Sequence, residues 1–353
     1  MSKRIGWIDL VRALGACAIV LLHVTVSTYQ TTDIDAMRKG VYILSGIVFG
    51  RWAVPAFFMV TGYLVLDPSR AFGWRRARSH AWRMALVLLT LGMAFSLVEE
   101  TLYYVDEGMP LGLGVVADAA IDVLTARSWD HLWYVYALMF VYLLVPLVEL
   151  LRSRFGARAV HALALALFVG TMVVPTVLDL GAIAGLLSWP GQYGGWRSDV
   201  PWGVVVGLTN VLIGDWLRDK RMSALSLVLG AAALATMLAV SAWGLAEGWG
   251  SQSFVYMHES CFASVYGASV LLVIRRVRGD EPLAAGSLAN ALAQDSFGIY
   301  LLHPAFIHMV LRYVDALLWP PVLFEATFFV AVLAASVLAT RLLRHVPVVG
   351  PLL

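Results

Sequence analysis

Charge is what this sequence has least of: only 14% of its 353 residues are Asp, Glu, Lys or Arg, and the net charge is +2. So thin a supply of basic side chains, scattered in short clusters, argues against a nucleic-acid partner. Cysteine is nearly as scarce. Cys17 and Cys261 both fall inside apolar runs, which excludes a disulfide framework and leaves a thiolate metal site without ligands. No metal is expected. Internal repeats, low-complexity tracts and linkers are also missing, so residues 1–353 read as a single integral domain. The first apolar run follows Lys3 and Arg4, but no small-x-small cleavage site comes after it, and it reads as a retained helix.

What is abundant is apolar surface. Hydrophobic residues make up 60% of the chain, with 13 Trp and 13 Tyr, and mean hydropathy is +0.80. That composition describes an all-α polytopic membrane protein, an integral partner of membrane lipids. About ten segments are long enough to cross a hydrocarbon core. They fall near 6–29, 41–66, 83–105, 131–151, 159–178, 202–218, 223–246, 254–275, 296–314 and 321–343. Basic residues cluster after every second segment: Arg70, Arg75, Arg76, Arg78 and Arg83; Arg152, Arg154 and Arg158; Arg218, Lys220 and Arg221; Arg275, Arg276 and Arg278; then Arg341 and Arg344. The alternate loops carry Asp33, Asp35, Asp106, Glu107, Asp118, Asp122, Asp130, Asp179, Asp199 and Glu247. By the positive-inside rule both termini are cytoplasmic. The outer loops 106–130 and 179–201 are rich in Gly, Trp and Asp and would form a polar mouth.

Polar groups inside spans are costly and need a pairing or functional reason. The first segment holds Asp9, Arg12 and His23; eleven residues separate Arg12 from His23, so they share a face, with Asp9 and Ser27 near it. In the second, Arg51, Pro55, Phe58 and Gly62 share a face, with the guanidinium about 15 Å from the cytoplasmic end. Glu99 and Glu100 end the third segment, His131 and Trp133 open the fourth, and His258 and Glu259 open the eighth. Ser296, Tyr300 and His303 line one face of the ninth, and His80 lies in the basic stretch before the third. Plainer readings stand beside these. His131 beside Trp133 is also what an interfacial helix start looks like, the boundary carboxylates and His258 are explained by solvation, and the arginines between 70 and 83 by an inside-positive loop.

Four stretches resemble the acyltransferase 3 family of integral membrane acyltransferases: Trp7-Ile8-Asp9-Leu10-Val11-Arg12-Ala13 with His23; Pro55-Ala56-Phe57-Phe58 through Thr61-Gly62, Thr standing where Ser is customary; His131-Leu132-Trp133-Tyr134 with Tyr142 and Pro146; and Ser296-Phe297-Gly298-Ile299-Tyr300-Leu301-Leu302-His303-Pro304. The likeness is greatest to the branch holding the O-acetyltransferase of enterobacterial common antigen. It implies about ten helices in a bacterial inner membrane. It also implies a cytoplasmic acyl-CoA donor such as acetyl-CoA, and a glycan or lipid-linked sugar hydroxyl as acceptor. His23 is the residue that the family likeness makes catalytic, and Asp9 and Arg12 match the residues before it. The family's Arg-x-x-Arg for coenzyme corresponds either to Arg75 and Arg78 or, with a histidine first, to His80 and Arg83.

The chemistry is consistent with that implication. Arginine forks suit the phosphates of a coenzyme. His23 lies ~25 Å along its helix from Gly6, toward the outer side, where a neutral imidazole would take the proton of an attacking hydroxyl. Glu99, Glu100 or Glu259 would fix its tautomer, and Arg51, Tyr300 or Trp133 would hydrogen-bond the thioester oxygen. Counted from Ser296, His303 sits only ~10 Å from the cytoplasmic end, far from His23, with Pro304 after it to kink the helix, which suits a structural or donor-channel role. Acylation of a non-glycan acceptor is the second enzymatic reading. The rival class is a transporter using Asp9, His23, Arg51 and Glu259 as a proton or solute pathway, though matching inverted halves are missing.

Overall fold

The computed structural model describes residues 4–31, 39–41, 44–70, 72–186, 200–246 and 259–353. His258, Asp33, Asp35, Asp199 and Glu247 lie outside the described residues. The described elements are helices: α1 Gly6–Thr31, α2 Ala53–Val65, α3 Trp74–Val87, α4 Met93–Asp106, α5 Leu113–Thr125, α6 Trp133–Phe155, α7 Ala157–Phe168, α8 Val174–Ile183, α9 Val200–Trp216, α10 Ala224–Ala246, α11 Cys261–Arg278, α12 Leu288–Tyr313 and α13 Pro321–Leu343. π-helical turns precede α2 (Leu44–Gly50), join α3 to α4 (Leu88–Gly92) and join α7 to α8 (Val169–Val173).

Eight of these helical runs are long and apolar enough to cross a membrane, and the protein is an all-α polytopic membrane protein. The other two expected segments, 254–275 and 296–314, correspond to α11 and α12. α11 ends in Arg275, Arg276 and Arg278, and α12 carries Gln294, Asp295, His303 and Pro304, which dilute their apolar character. Both nevertheless run from one end of the bundle to the other. At one end Arg275 at the end of α11 donates to the Leu217 and Arg218 carbonyls after α9, and Asp295 near the start of α12 is clamped by Arg341 (2.9 Å) and Arg344 (2.5 Å). At the other, the Cys261 N–H donates to Thr176 on α8, and Arg312 pairs with Asp106 at 3.0 Å.

The basic end is laced together from helix termini, whose last carbonyls have no partner inside their own helix. Arg152 donates to the Leu66 carbonyl after α2 and to Asp215 of α9 at 2.5 Å, and Arg218 donates to the Tyr63 carbonyl. The start of α1 joins this layer, where the N–H groups of Gly6 and Trp7 donate to Asp280 and Gly279. Gly6 is required there, since a Cβ would meet the Glu281 carbonyl oxygen at 1.7 Å. The ends of α1, α2, α6, α9, α11, α12 and α13 that meet in this layer are the ones the positive-inside pattern puts together.

Two expectations change. The arginine stretch at 75–83 is not a loop, because α3 begins at Trp74 and runs helically into α4, so the span is Trp74–Asp106 rather than 83–105. Residues 113–125 of the supposed outer loop form α5, which buries Val115, Ala119 and Val123 and is tied to α4 by the Tyr104 hydroxyl donating to Asp118 at 2.6 Å. Leu113 and Leu124 on its other face are 88% and 78% exposed, an apolar strip suited to lipid rather than water.

Candidate active site

α1 and α12 pack along their length, and both start at the basic end. Parallel neighbours of this kind bring residues at equal depth together. His23 is seventeen residues from the start of α1 and His303 fifteen from the start of α12, or ~25 and ~22 Å. Their rings meet: His23 Nδ1 lies 2.6 Å from His303 Nε2. The centroids are 4.9 Å apart and the planes differ by 8°, so the rings lie edge to edge in nearly one plane, with an N–H aimed at a lone pair. The expectation that His303 is remote from His23 is therefore corrected. Its helix starts at Leu288, two turns before Ser296, where Ser287 caps it by accepting from the Asn290 N–H. A Ser cap after Gly286 was the signal that would have placed it.

His131 completes a histidine cluster. Its ring centroid is 5.7 Å from that of His303, and its Nε2 donates to the Leu301 carbonyl at 3.2 Å. In return the Tyr300 hydroxyl donates to the His131 carbonyl. His131 and His303 are buried, while His23 is part-buried and is the most accessible ring of the three. Since the Tyr300 hydrogen is spent on His131, Tyr300 does not supply a donor to a thioester oxygen. Trp133 packs against Phe58 and the notch at Gly203 on α9. Arg51 does come to the cluster, acting electrostatically on His23. The π turn before it lies against α1 at Gly50, where a Cβ would sit 2.6 Å from Leu22.

His23 Nδ1 faces His303 rather than a carboxylate, and Glu100 interacts with Asp122 of α5. Asp9 is buried and paired with Arg4 at 2.8 Å, an anchor for the start of α1. Among the described residues no group of three or more His, Cys, Asp or Glu could hold a metal ion.

Toward the basic end a second cluster faces the same interior. With a turn of about 100° per residue, Arg76, His80 and Arg83 share one flank of α3, while Arg78 lies on the opposite flank of its buried row of Ala77, Ala81 and Met84 and Arg75 points away from it. His80 packs on Tyr142 (4.9 Å) and Phe72 (5.3 Å), and the Phe72 N–H is held by Glu149 at 2.8 Å. Arg83 donates to the Leu352 carbonyl at 2.9 Å and lies over Phe297. The charges of Arg83 and the exposed Arg12 are both felt at Tyr142, and that of Arg12 also at Tyr134. Tyr134 stands 5.4 Å from Tyr300, which is 6.1 Å from His303. Tyr142 thus stands by the arginine face and Tyr134 by the histidines, eight residues or ~12 Å apart on α6. Sequence reading named Tyr142 and Tyr134 only as motif members and did not connect them.

Fold and site together define an α-helical membrane protein with an arginine-rich end and a paired set of histidines inside the bundle. The family described as Acyltransferase domain matches residues 5–341, nearly the whole chain, and the chain belongs to that family. This is the family that the four stretches resemble, and membership makes the protein a membrane acyltransferase. No curated protein and no solved structure matches the chain.

Proposed function

We propose that the protein moves an acyl group, acetyl above all, from acyl-CoA at the basic, cytoplasmic end to a hydroxyl of an envelope or exported glycan in the bacterial inner membrane. In this reading it resembles the enterobacterial common antigen O-acetyltransferases. The carrying observation is the part-buried His23, paired at 2.6 Å with His303, with Tyr134 and Tyr142 spaced along α6 between the pair and the side of Arg83, His80 and Arg12. The arginine fork and the His80 face would hold the coenzyme phosphates. The slender thioester arm would pass Tyr142 and Tyr134, and the acceptor would enter from the opposite end. His23 takes the hydroxyl proton as the oxygen attacks the thioester carbonyl. Arg51, whose charge reaches His23, stabilises the negative charge that develops on the carbonyl oxygen. The proton then goes to the departing coenzyme thiolate, leaving His23 neutral.

The test is thiol release. Purified protein in lipid nanodiscs, given acetyl-CoA, should release free coenzyme A thiol faster when a hydroxyl-bearing envelope glycan is added. Release driven by amines and not by any hydroxyl would overturn the acceptor class. Solute uptake without thioester cleavage would replace transfer by transport.

A further inference from the structure

His303 is too buried to meet a substrate, yet it touches the most accessible ring of the cluster, and its own bonding fixes which nitrogen of that ring is free. A carbonyl oxygen only accepts, so the nitrogen that faces one must carry a hydrogen. His303 Nδ1 lies 3.0 Å from the Ile299 carbonyl, one turn earlier on α12, and the Tyr300 carbonyl also acts on this ring. The reason lies in the next residue. Pro304 has no N–H to give the Tyr300 carbonyl, so that oxygen lacks its usual helical donor and is left to the histidine. With its hydrogen on Nδ1, neutral His303 presents a lone pair at Nε2. The 2.6 Å contact then has a single sense: His23 Nδ1 donates to His303 Nε2. His23 in turn keeps its lone pair on Nε2, the nitrogen turned away from α12.

We infer that His303 is a positioning residue that holds His23 in the tautomer whose Nε2 is the base, the role a carboxylate plays in other dyads. The inference rests on the acyl-transfer reading for its kinetic consequence but not for its structural one. In the transfer step the acceptor O–H bond breaks, its proton goes to His23 Nε2, and the oxygen bonds to the thioester carbon. When the C–S bond breaks, the same proton passes from Nε2 to sulfur. The Nδ1 hydrogen remains shared with His303 Nε2 throughout, and its acceptor steadies the transient imidazolium. Other charged or titratable groups acting on the pair are His131, from the start of α6, and Arg51, from the turn before α2.

Two measurements separate this role from simple packing. Nitrogen NMR on protein labelled in its histidine rings, without any acyl-CoA, should show His23 protonated on Nδ1 and bare on Nε2. In His303→Ala that signature should be lost, and in His303→Gln, whose amide oxygen can accept from Nδ1, it should return. In the kinetics His303→Ala should lower kcat by roughly 10²–10⁴-fold, the range for a base held in the wrong tautomer, with KM for acyl-CoA unchanged. His303→Gln should recover part of that loss. A wild-type His23 carrying its proton on Nε2 would overturn the assignment even in an active enzyme, and so would a His303→Ala enzyme with wild-type kcat. If the tautomer is as stated but no thioester is cleaved, the failure lies with the acyl-transfer reading, because the NMR result involves no acyl-CoA. Should His303→Ala not fold, the wild-type spectrum and the Gln variant still decide.

Discussion

Arg83→Ala should weaken acyl-CoA binding by about tenfold or more, while Arg75→Ala and Arg78→Ala leave it within about twofold. The difference comes from which side of α3 each arginine occupies. Arg76, His80 and Arg83 stand on the face turned to Tyr142 and Phe72, and the charge of Arg83 reaches the Tyr142 ring together with that of Arg12. Arg75 and Arg78 stand on the outward face with Trp74 and Trp82, which are 51% and 61% exposed. A charge-assisted hydrogen bond contributes about 1.5–3 kcal/mol, and the lower end applies to a group as open to solvent as Arg83. Losing Arg83 also frees the Leu352 carbonyl that it holds, so His80→Ala serves as a second probe of the same face. Isothermal titration in detergent with acetyl-CoA reads the effect. Weakened binding in Arg75→Ala and Arg78→Ala alone would return the coenzyme to the outward face.

His23→Ala should reduce kcat for acyl transfer by roughly 10²–10⁴-fold, the ordinary contribution of a general base, and leave acyl-CoA affinity nearly unchanged with the protein still folded. Affinity is spared because His23 lies ~25 Å along α1 from Gly6, whereas the arginine face is toward the basic end, where α1 starts. The melting temperature should fall modestly, because the buried His303 Nε2 loses its donor while His303 keeps its bond to the Ile299 carbonyl. Single-turnover kinetics with labelled acetyl-CoA separates the two quantities. A His23→Ala protein as fast as wild type would remove the base from the account.

The helices were legible in the sequence because each needs a long apolar run, and alternating loop charge ordered their ends. What was not legible was where the polar helices begin. α12 starts at Leu288, but Asn290, Gln294 and Asp295 make its first two turns too polar for a span, so counting from Ser296 hid those turns and with them the pairing of His303 with His23. α3 was hidden the same way: its first turns are arginines, which form helices readily but lower hydropathy, so they passed for a loop. His23 itself was legible, since an imidazole in an apolar helix demands a reason. Its partner was not, because a neutral ring far along the chain is indistinguishable from a packing residue until two parallel helices set both at one depth. Asp9, grouped with Arg12 by sequence, is instead spent on Arg4.

The most direct measurement supplies donor and acceptor from opposite faces of the bilayer. Inverted membrane vesicles expose the basic end to added acetyl-CoA, labelled in the acetyl group and unable to cross, while the glycan acceptor is enclosed within. The account predicts labelled acetyl on the enclosed glycan, free coenzyme A thiol left outside, and neither with His23→Ala. Transfer that occurs only when donor and acceptor share the outer face of right-side-out vesicles, or that proceeds equally without His23, would contradict it.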